Sequence, residues 1–168
     1  SLCWAAGEML RRDYRNPEYP LDPLDGEALL TIWATTARSY RDVVNRSQMN
    51  LLDSHDVPRA LHSLSNDLAA LKLALLLLFL HPGAPCIYYG TEAALAGGPE
   101  PGPSGGPGPA CREAYPWDAP WTADLRPFIQ SLAALRGAHR VLRRDGLRWS
   151  APGADVLEGV ADGLRVVI

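Results

Sequence analysis

Leu29, Leu30, Trp33, Ala37 and Tyr40 recur at helical spacing behind Asp25, whose carboxylate can cap a first turn. The pattern predicts an amphipathic helix to about residue 44, lying against a sheet. A short apolar strand follows over residues 48–53. Residues 65–67, Ser-Asn-Asp, then supply capping oxygens for a second helix over 68–80, apolar on every face in its later half. Such a helix must be covered on most sides. Gly83-Ala84-Pro85 turns the chain into Cys86-Ile87-Tyr88-Tyr89, a short strand stopped by Gly90. This alternation of helix and strand is the rhythm of a parallel sheet.

The period changes later in the chain. Asp124 can cap a helix carrying Phe128, Leu132, Leu135 and His139, with Pro127 tolerated in its first turn. Past Asp145-Gly146, residues 147–149, 156–160 and 164–168 alternate or run apolar between Pro-Gly and Asp-Gly turns, which predicts antiparallel strands. Two stretches carry no period: the proline-bearing segment 11–25 and the Gly- and Pro-dominated segment 97–110, both expected to be loops.

The polar positions gather where the strand at 48–53 ends. Asp53, Ser54, His55, Asp56 and Arg59 arrive together, and Pro58 forbids the ladder from continuing. In α/β folds the carboxyl ends of strands are where sites are built, because the following loops free side chains to converge. Asp53 also fits a turn or helix cap, and a histidine beside a carboxylate is often a structural pair. A triad of Ser54, His55 and Asp56 is excluded, since neighbours along a strand face opposite ways. Asp53 and His55 share a face but have no second His or Cys at ligand spacing, so no metal site is expected.

Composition narrows this picture without redirecting it. With 47% hydrophobic and 21% charged residues in 168, the chain is an ordinary globular one with enough length for a substantial core. The net charge of −3 and the absence of any Lys/Arg block leave no surface for nucleic acid. Cys3, Cys86 and Cys111 have neither disulfide nor zinc spacing, so reduced thiols and a cytoplasmic location are expected. The apolar run at 73–80 is far short of the roughly 20 residues that span a bilayer, and no membrane partner is expected. Core-type sequence at both ends, residues 1–6 and 164–168, leads to the expectation of a piece of a longer protein.

At Leu51-Leu52-Asp53-Ser54-His55-Asp56 the sequence resembles the fourth conserved region of the α-amylase family, glycoside hydrolase family 13, above all its neopullulanase, cyclomaltodextrinase and maltogenic amylase branch. Pro85-Cys86-Ile87-Tyr88-Tyr89-Gly90-Thr91-Glu92 resembles the eighth-strand segment of that family. Gly97-Gly98-Pro99, Cys111-Arg112-Glu113 and Pro116-Trp117-Asp118 resemble the loop after it, and residues 124–140 the last barrel helix. The likeness thus covers about residues 48–144 in the family's order.

The resemblance implies an α/β fold: the C-terminal portion, about strands 6 to 8, of a (β/α)8 TIM barrel over residues 1–145, then a truncated C-terminal β-sandwich from residue 146, the whole being helix-rich. It implies retaining hydrolysis of α-glucosidic bonds in maltodextrins, cyclodextrins or pullulan by two carboxyl groups about 5 Å apart, with no cofactor. Asp56 corresponds to the third carboxylate, a transition-state stabiliser that accepts hydrogen bonds from sugar hydroxyls, and His55 to a donor to the same sugar. Thr91 departs from the Asp common there, and 99–110 looks like an insertion. The nucleophile motif is absent: residues 162–167 imitate it with Val167 in the carboxylate's place, after the eighth-strand segment, and are expected to be a β-domain strand. Glu8, in Gly7-Glu8, imitates the family's acid, but only one helical pattern separates it from Asp56 where the family has a further strand and helix; Ser1-Leu2 is aligned with the sixth strand instead, and Glu8 is expected to be an ordinary helix residue.

The isolated chain is therefore expected to be inactive. The alternative is a carbohydrate-binding or structural module, with Tyr88, Tyr89, Trp117 and Trp121 holding glucans without chemistry. A transporter subunit of the same barrel family is disfavoured by the retained Asp56. A partial barrel with open strand edges and the all-apolar helix 68–80 is also expected either to self-associate as a homo-oligomer or to rearrange its helices.

Overall fold

A computed structural model describes residues 24–97, 109–118, 124–144 and 146–168. Expectations about residues 1–23, including Cys3, Glu8 and the sixth strand, and about 98–108 and Trp121, fall outside the described residues. The first helix, α1 (Gly26–Arg38), starts where Asp25 Oδ1 accepts the Ala28 N–H at 2.8 Å. It stops at Ser39 instead of continuing to Val44, and α2 (Asp42–Ser47) takes over after a break. Polar side chains decide the break: Ser39 Oγ donates back to Thr35 O at 2.9 Å, and Asn45 Nδ2 reaches from α2 to Ala37 O at 2.8 Å. Asn45 thereby reaches a carbonyl that a continuing helix would have bonded itself, whereas Thr35 O keeps its helical bond from the Ser39 N–H at 3.2 Å beside the hydroxyl's.

Strand β1 (Met49–Leu51) pairs in parallel with β2 (Ala84–Cys86), Asn50 lying opposite Pro85. The chain passes from one to the other through the short α3 (Ala60–Ser63) and through α4 (Leu68–Leu80), whose N-cap Asp67 accepts from Ala69 and Ala70. The sequence placed this second strand over residues 86–89. It begins two residues earlier and ends at Cys86, because β1 stops at Leu51, the partner of Cys86, and leaves the next residues no ladder. Nor is β1 buried throughout: Met49 is 65% exposed, and Asn50 is the residue that faces inward, its Nδ2 donating to Pro82 O at 2.7 Å.

Three clusters of buried side chains meet on α4, which explains why that helix is apolar all round. Leu71, Leu75, Leu78 and Phe79 pack with Leu61, Leu64 and with Leu125 and Leu132 of α5 (Leu125–Ala138). Leu77 packs with Leu29 and Trp33 of α1 and with Leu157. Leu80 packs with Leu142 of α6 (Arg140–Arg144), Leu147 and Ala161. The large exposed patch expected on this helix is therefore absent, since the chain itself supplies the cover; Leu68 and Leu73 are its exposed apolar residues.

The antiparallel strands appear where the period predicted them: β3 (Arg148–Gly153), β4 (Val156–Ala161) and β5 (Leu164–Val167), in the order β3-β4-β5. Residues 164–167 are thus a strand of this meander, as expected. Gly159 lets β4 pass close to its neighbours, since a Cβ there would sit 2.8 Å from Leu147 and 3.0 Å from the Trp149 ring. Helix α1 lies against a sheet, as its amphipathic pattern required, but that sheet is the antiparallel one: α1 packs on β3 and the Gly26 N–H donates to Ala154 O at 2.9 Å.

Candidate active-site loop

Beyond Leu51 the chain leaves the ladder, and Asp53 turns inward. It is 1% exposed, and its carboxylate accepts the Ala60 N–H at 2.9 Å and the Thr91 hydroxyl at 2.9 and 3.0 Å. One side chain thereby closes residues 53–60 into a loop, supplies the first turn of α3 with an acceptor, and ties the loop to the single turn of 3₁₀ helix (Thr91–Ala93) after β2. Thr91, at a position where the family often has Asp, donates to the carboxylate; a second carboxylate there could not do so without a shared proton. Burial pushes the Asp53 carboxyl above its ordinary value of 3.8, against the lowering effect of the Ala60, Thr91 and Arg59 groups.

Arg59, also fully buried, fills the base of the loop. Its guanidinium lies over the rings of Tyr88 and Tyr89, 4.5 and 4.7 Å from their centroids, and donates to Tyr89 O. The two rings meet edge to face at 4.6 Å. Next to them, Gly90 has φ of 88°, and a Cβ would come within 2.4 Å of Leu95, so this tight turn accepts little else. Tyr88 and Tyr89 also hold the later loop: their hydroxyls donate to Cys111 O at 3.3 Å and Glu113 O at 2.8 Å.

Above this base His55 and Asp56 stand open to solvent. Asp56 Oδ2 is 3.1 Å from His55 Nε2, Asp56 Oδ1 accepts from Arg112 Nη2 at 3.2 Å, and the Asp56 N–H donates to Ser54 Oγ at 3.2 Å. The Asp56 side chain is 65% exposed, so its oxygens can be shared with a ligand. Sequence reasoning put Asp56 and His55 at a strand's carboxyl end, and there they lie. It left Asp53 between turn, cap and site; the structure makes it the cap and anchor of the loop. It assigned nothing to Arg59 or Arg112. Their positive charges, following a conspicuous carboxylate pair and falling in a resembling loop, were the available signal.

Of the aromatic residues proposed to hold glucans, Tyr88 and Tyr89 form the loop's base, while Trp117, 78% exposed, leans on Tyr115 at 4.5 Å between ring centroids. Among the described residues no three His, Cys, Asp or Glu side chains converge on a metal-sized site, Cys86 and Cys111 are free thiols, and no helix is long and apolar enough to cross a membrane.

The family model "Alpha amylase, catalytic domain" matches residues 15–145. The chain belongs to the α-amylase family. This α-amylase-family chain is 38% identical over 120 residues to a cyclomaltodextrinase from Bacillus sp, a match covering 71% of it and 20% of that protein. It is 36% identical over 108 residues to a maltogenic α-amylase from Bacillus acidopullulyticus, covering 64% and 17%. Among solved structures, the ligand-free cyclic α-maltosyl-(1→6)-maltose hydrolase from Arthrobacter globiformis superposes with a TM-score of 0.79 at 28% identity, over 99% of this chain and 35% of that one. A cyclomaltodextrinase gives 0.79 at 29%, over 99% and 27%. The chain thus has part of the α-amylase catalytic-domain fold, a TIM barrel, and spans about a fifth of the length of the cyclomaltodextrinase and maltogenic α-amylase it matches.

Proposed function

We propose that this chain contributes the stabilising carboxylate of a retaining glycoside hydrolase acting on α-glucosidic bonds of maltodextrins, cyclodextrins or pullulan, and that by itself it is inactive. The observation that carries the reading is Asp56: an exposed carboxylate at the carboxyl end of a parallel strand, on a loop pinned by the buried Asp53. In this reading residues 1–145 are about strands 6 to 8 of the barrel, residues 146–168 begin a C-terminal β domain, and the protein is cytoplasmic. Asp56 accepts hydrogen bonds from hydroxyls beside the reacting carbon, which become stronger donors as the ring flattens and positive charge develops. His55 binds the same sugar, and Arg112 orients Asp56 from the opposite loop. The motif that bears the family's nucleophilic Asp is absent from these 168 residues, which supports inactivity of the isolated chain.

Two measurements test this. The purified chain is expected to show no turnover of maltodextrin or pullulan; turnover that disappears in Asp56→Asn overturns the inactive part. Placed in a cyclomaltodextrinase in exchange for the matching segment, the chain is expected to support activity, and Asp56→Asn to cut kcat roughly a hundredfold while changing KM little, as for loss of a hydrogen bond made in the transition state. An unchanged kcat rejects the assignment.

The exposed Trp117, leaning on the half-buried Tyr115, favours a second reading, a glucan-binding module without chemistry. Calorimetry with maltoheptaose on the isolated chain decides it: heat that survives Asp56→Asn and vanishes in Trp117→Ala supports the module, and no heat at millimolar sugar removes it.

Self-association belongs to the same proposal. Each parallel strand pairs only with the other among the described residues, and Tyr40, Val43, Val44 and Met49 are exposed near β1. Sedimentation at micromolar concentration is expected to give a species larger than the monomer. A single monomeric boundary overturns it.

A further inference from the structure

Arg112 meets Asp56 from the loop that follows β2, and the contact is an open one: Nη2 lies 3.2 Å from Oδ1, with the two side chains 54% and 65% exposed. Alone, such a pair is weak, because water screens the charges and the long arginine chain loses freedom on being held. The fold makes up for this by fixing the backbone on both sides of Arg112. The Tyr88 hydroxyl donates to Cys111 O at 3.3 Å, and the Tyr89 hydroxyl to Glu113 O at 2.8 Å. We propose that Tyr88 and Tyr89 are positioning residues for the glycosidase reaction, their hydroxyls holding Arg112 by its two chain neighbours so that its guanidinium orients Asp56.

The hydroxyls can do this because their own rings are held from below. The rings meet edge to face at 4.6 Å, and the buried Arg59 guanidinium lies over both, 4.5 and 4.7 Å from their centroids, while donating to Tyr89 O. Neither ring can swing away without breaking a buried cation–ring contact, so the aim of both hydroxyls is set. A side chain already fixed in this way loses little further freedom in making its bond. At the receiving end Cys111 is fully buried, which seats the single turn of 3₁₀ helix (Pro109–Arg112) against the protein, while Arg112 beside it stays open to solvent. Asp56 is then held at both oxygens, Oδ1 by Arg112 and Oδ2 by His55 Nε2 at 3.1 Å, which fixes the plane of the carboxylate. The inference rests on Asp56 being the stabilising carboxylate, since a group that accepts from sugar hydroxyls in the transition state gains from an orientation set before substrate arrives.

The test has two arms. In the ¹⁵N-labelled chain the Arg112 Nε–H resonance is assigned by its loss in Arg112→Gln. Asp56→Asn is expected to shift that resonance in the wild-type background and to leave it almost unmoved in the double variant Tyr88→Phe/Tyr89→Phe, which keeps both rings on Arg59 and removes only the two hydroxyl bonds. An equal shift in the two backgrounds, or none in wild type, overturns the proposal whatever Asp56 does in catalysis. In the cyclomaltodextrinase exchange, the double variant is expected to lower kcat about threefold to tenfold with KM little changed, the effect of one or two hydrogen bonds, and adding Arg112→Gln is expected to lower it no further. Effects that multiply mean that the hydroxyls do not act through Arg112, and they overturn the proposal, as does an unchanged kcat in an exchange enzyme that Asp56→Asn impairs. A kcat indifferent to Asp56→Asn, with the resonance shift still lost in the double variant, supports the positioning of Arg112 and rejects the catalytic assignment of Asp56.

Discussion

Asp53→Ala is expected to lower the unfolding free energy by about 3 kcal/mol, because it leaves the buried Ala60 N–H and Thr91 hydroxyl without an acceptor at a cost of roughly 1–3 kcal/mol each. Urea unfolding measures this as a lower midpoint at unchanged slope. Asp53→Asn is expected to cost less than half as much, since the amide oxygen keeps one bond and its NH₂ can reverse the other. The pair of variants also reads the carboxyl's titration. Burial raises the folded pKa of Asp53 above 3.8, so in that window the native state binds more protons than the unfolded chain. The stability of wild type relative to Asp53→Asn is therefore greatest below 3.8 and falls as pH rises through the raised value. A relative stability that instead rises with pH shows that the hydrogen bonds and Arg59 outweigh burial. In the cyclomaltodextrinase exchange, Asp53→Ala acts on the site as well, because the loop that holds His55 and Asp56 loses its tie to α3 and to Thr91.

Arg136→Ala is expected to cost still more, about 4 kcal/mol or above. The buried guanidinium donates to Phe79 O at 2.5 Å, to His81 O at 3.0 Å and to Gly83 O. These carbonyls mark the end of α4 and the approach to β2, where a helix has no intrahelical donors left to give them. Removing the side chain leaves three acceptors unpaired, each costing roughly 1–3 kcal/mol. It also loosens the joint that sets β2 against β1. Burial lowers the Arg136 pKa, a cost that the three carbonyl bonds offset. Arg136→Met, which keeps the aliphatic packing, is expected to recover little of the loss. A midpoint close to wild type for Arg136→Met would mean that packing, and not the carbonyl bonds, is what the residue supplies.

Periodicity and local chemistry carried much of this fold on their own. Helix α4 and its Asp67 cap, the Asp25 cap of α1, the helix over 125–138 and the three-stranded meander are all set by contacts a few residues apart, which the sequence displays directly. The candidate loop was legible for the same reason, since Asp53, His55 and Asp56 follow one strand. What the sequence alone could not decide depends on partners distant along the chain. Asp124 was read as a helix cap, yet it makes no capping bond and pairs with Lys72 instead. The cover over α4 comes from five separate elements, α1, α3, α5, α6 and the meander, and only their assembly turns an apparent exposed patch into three cores. Arg59 is indistinguishable in sequence from a surface arginine; the rings of Tyr88 and Tyr89, some thirty positions on, are what make it the buried base of the loop. Short-range order is written in neighbours, whereas the destination of a long polar side chain is chosen by whichever acceptor or ring the folded chain brings to it.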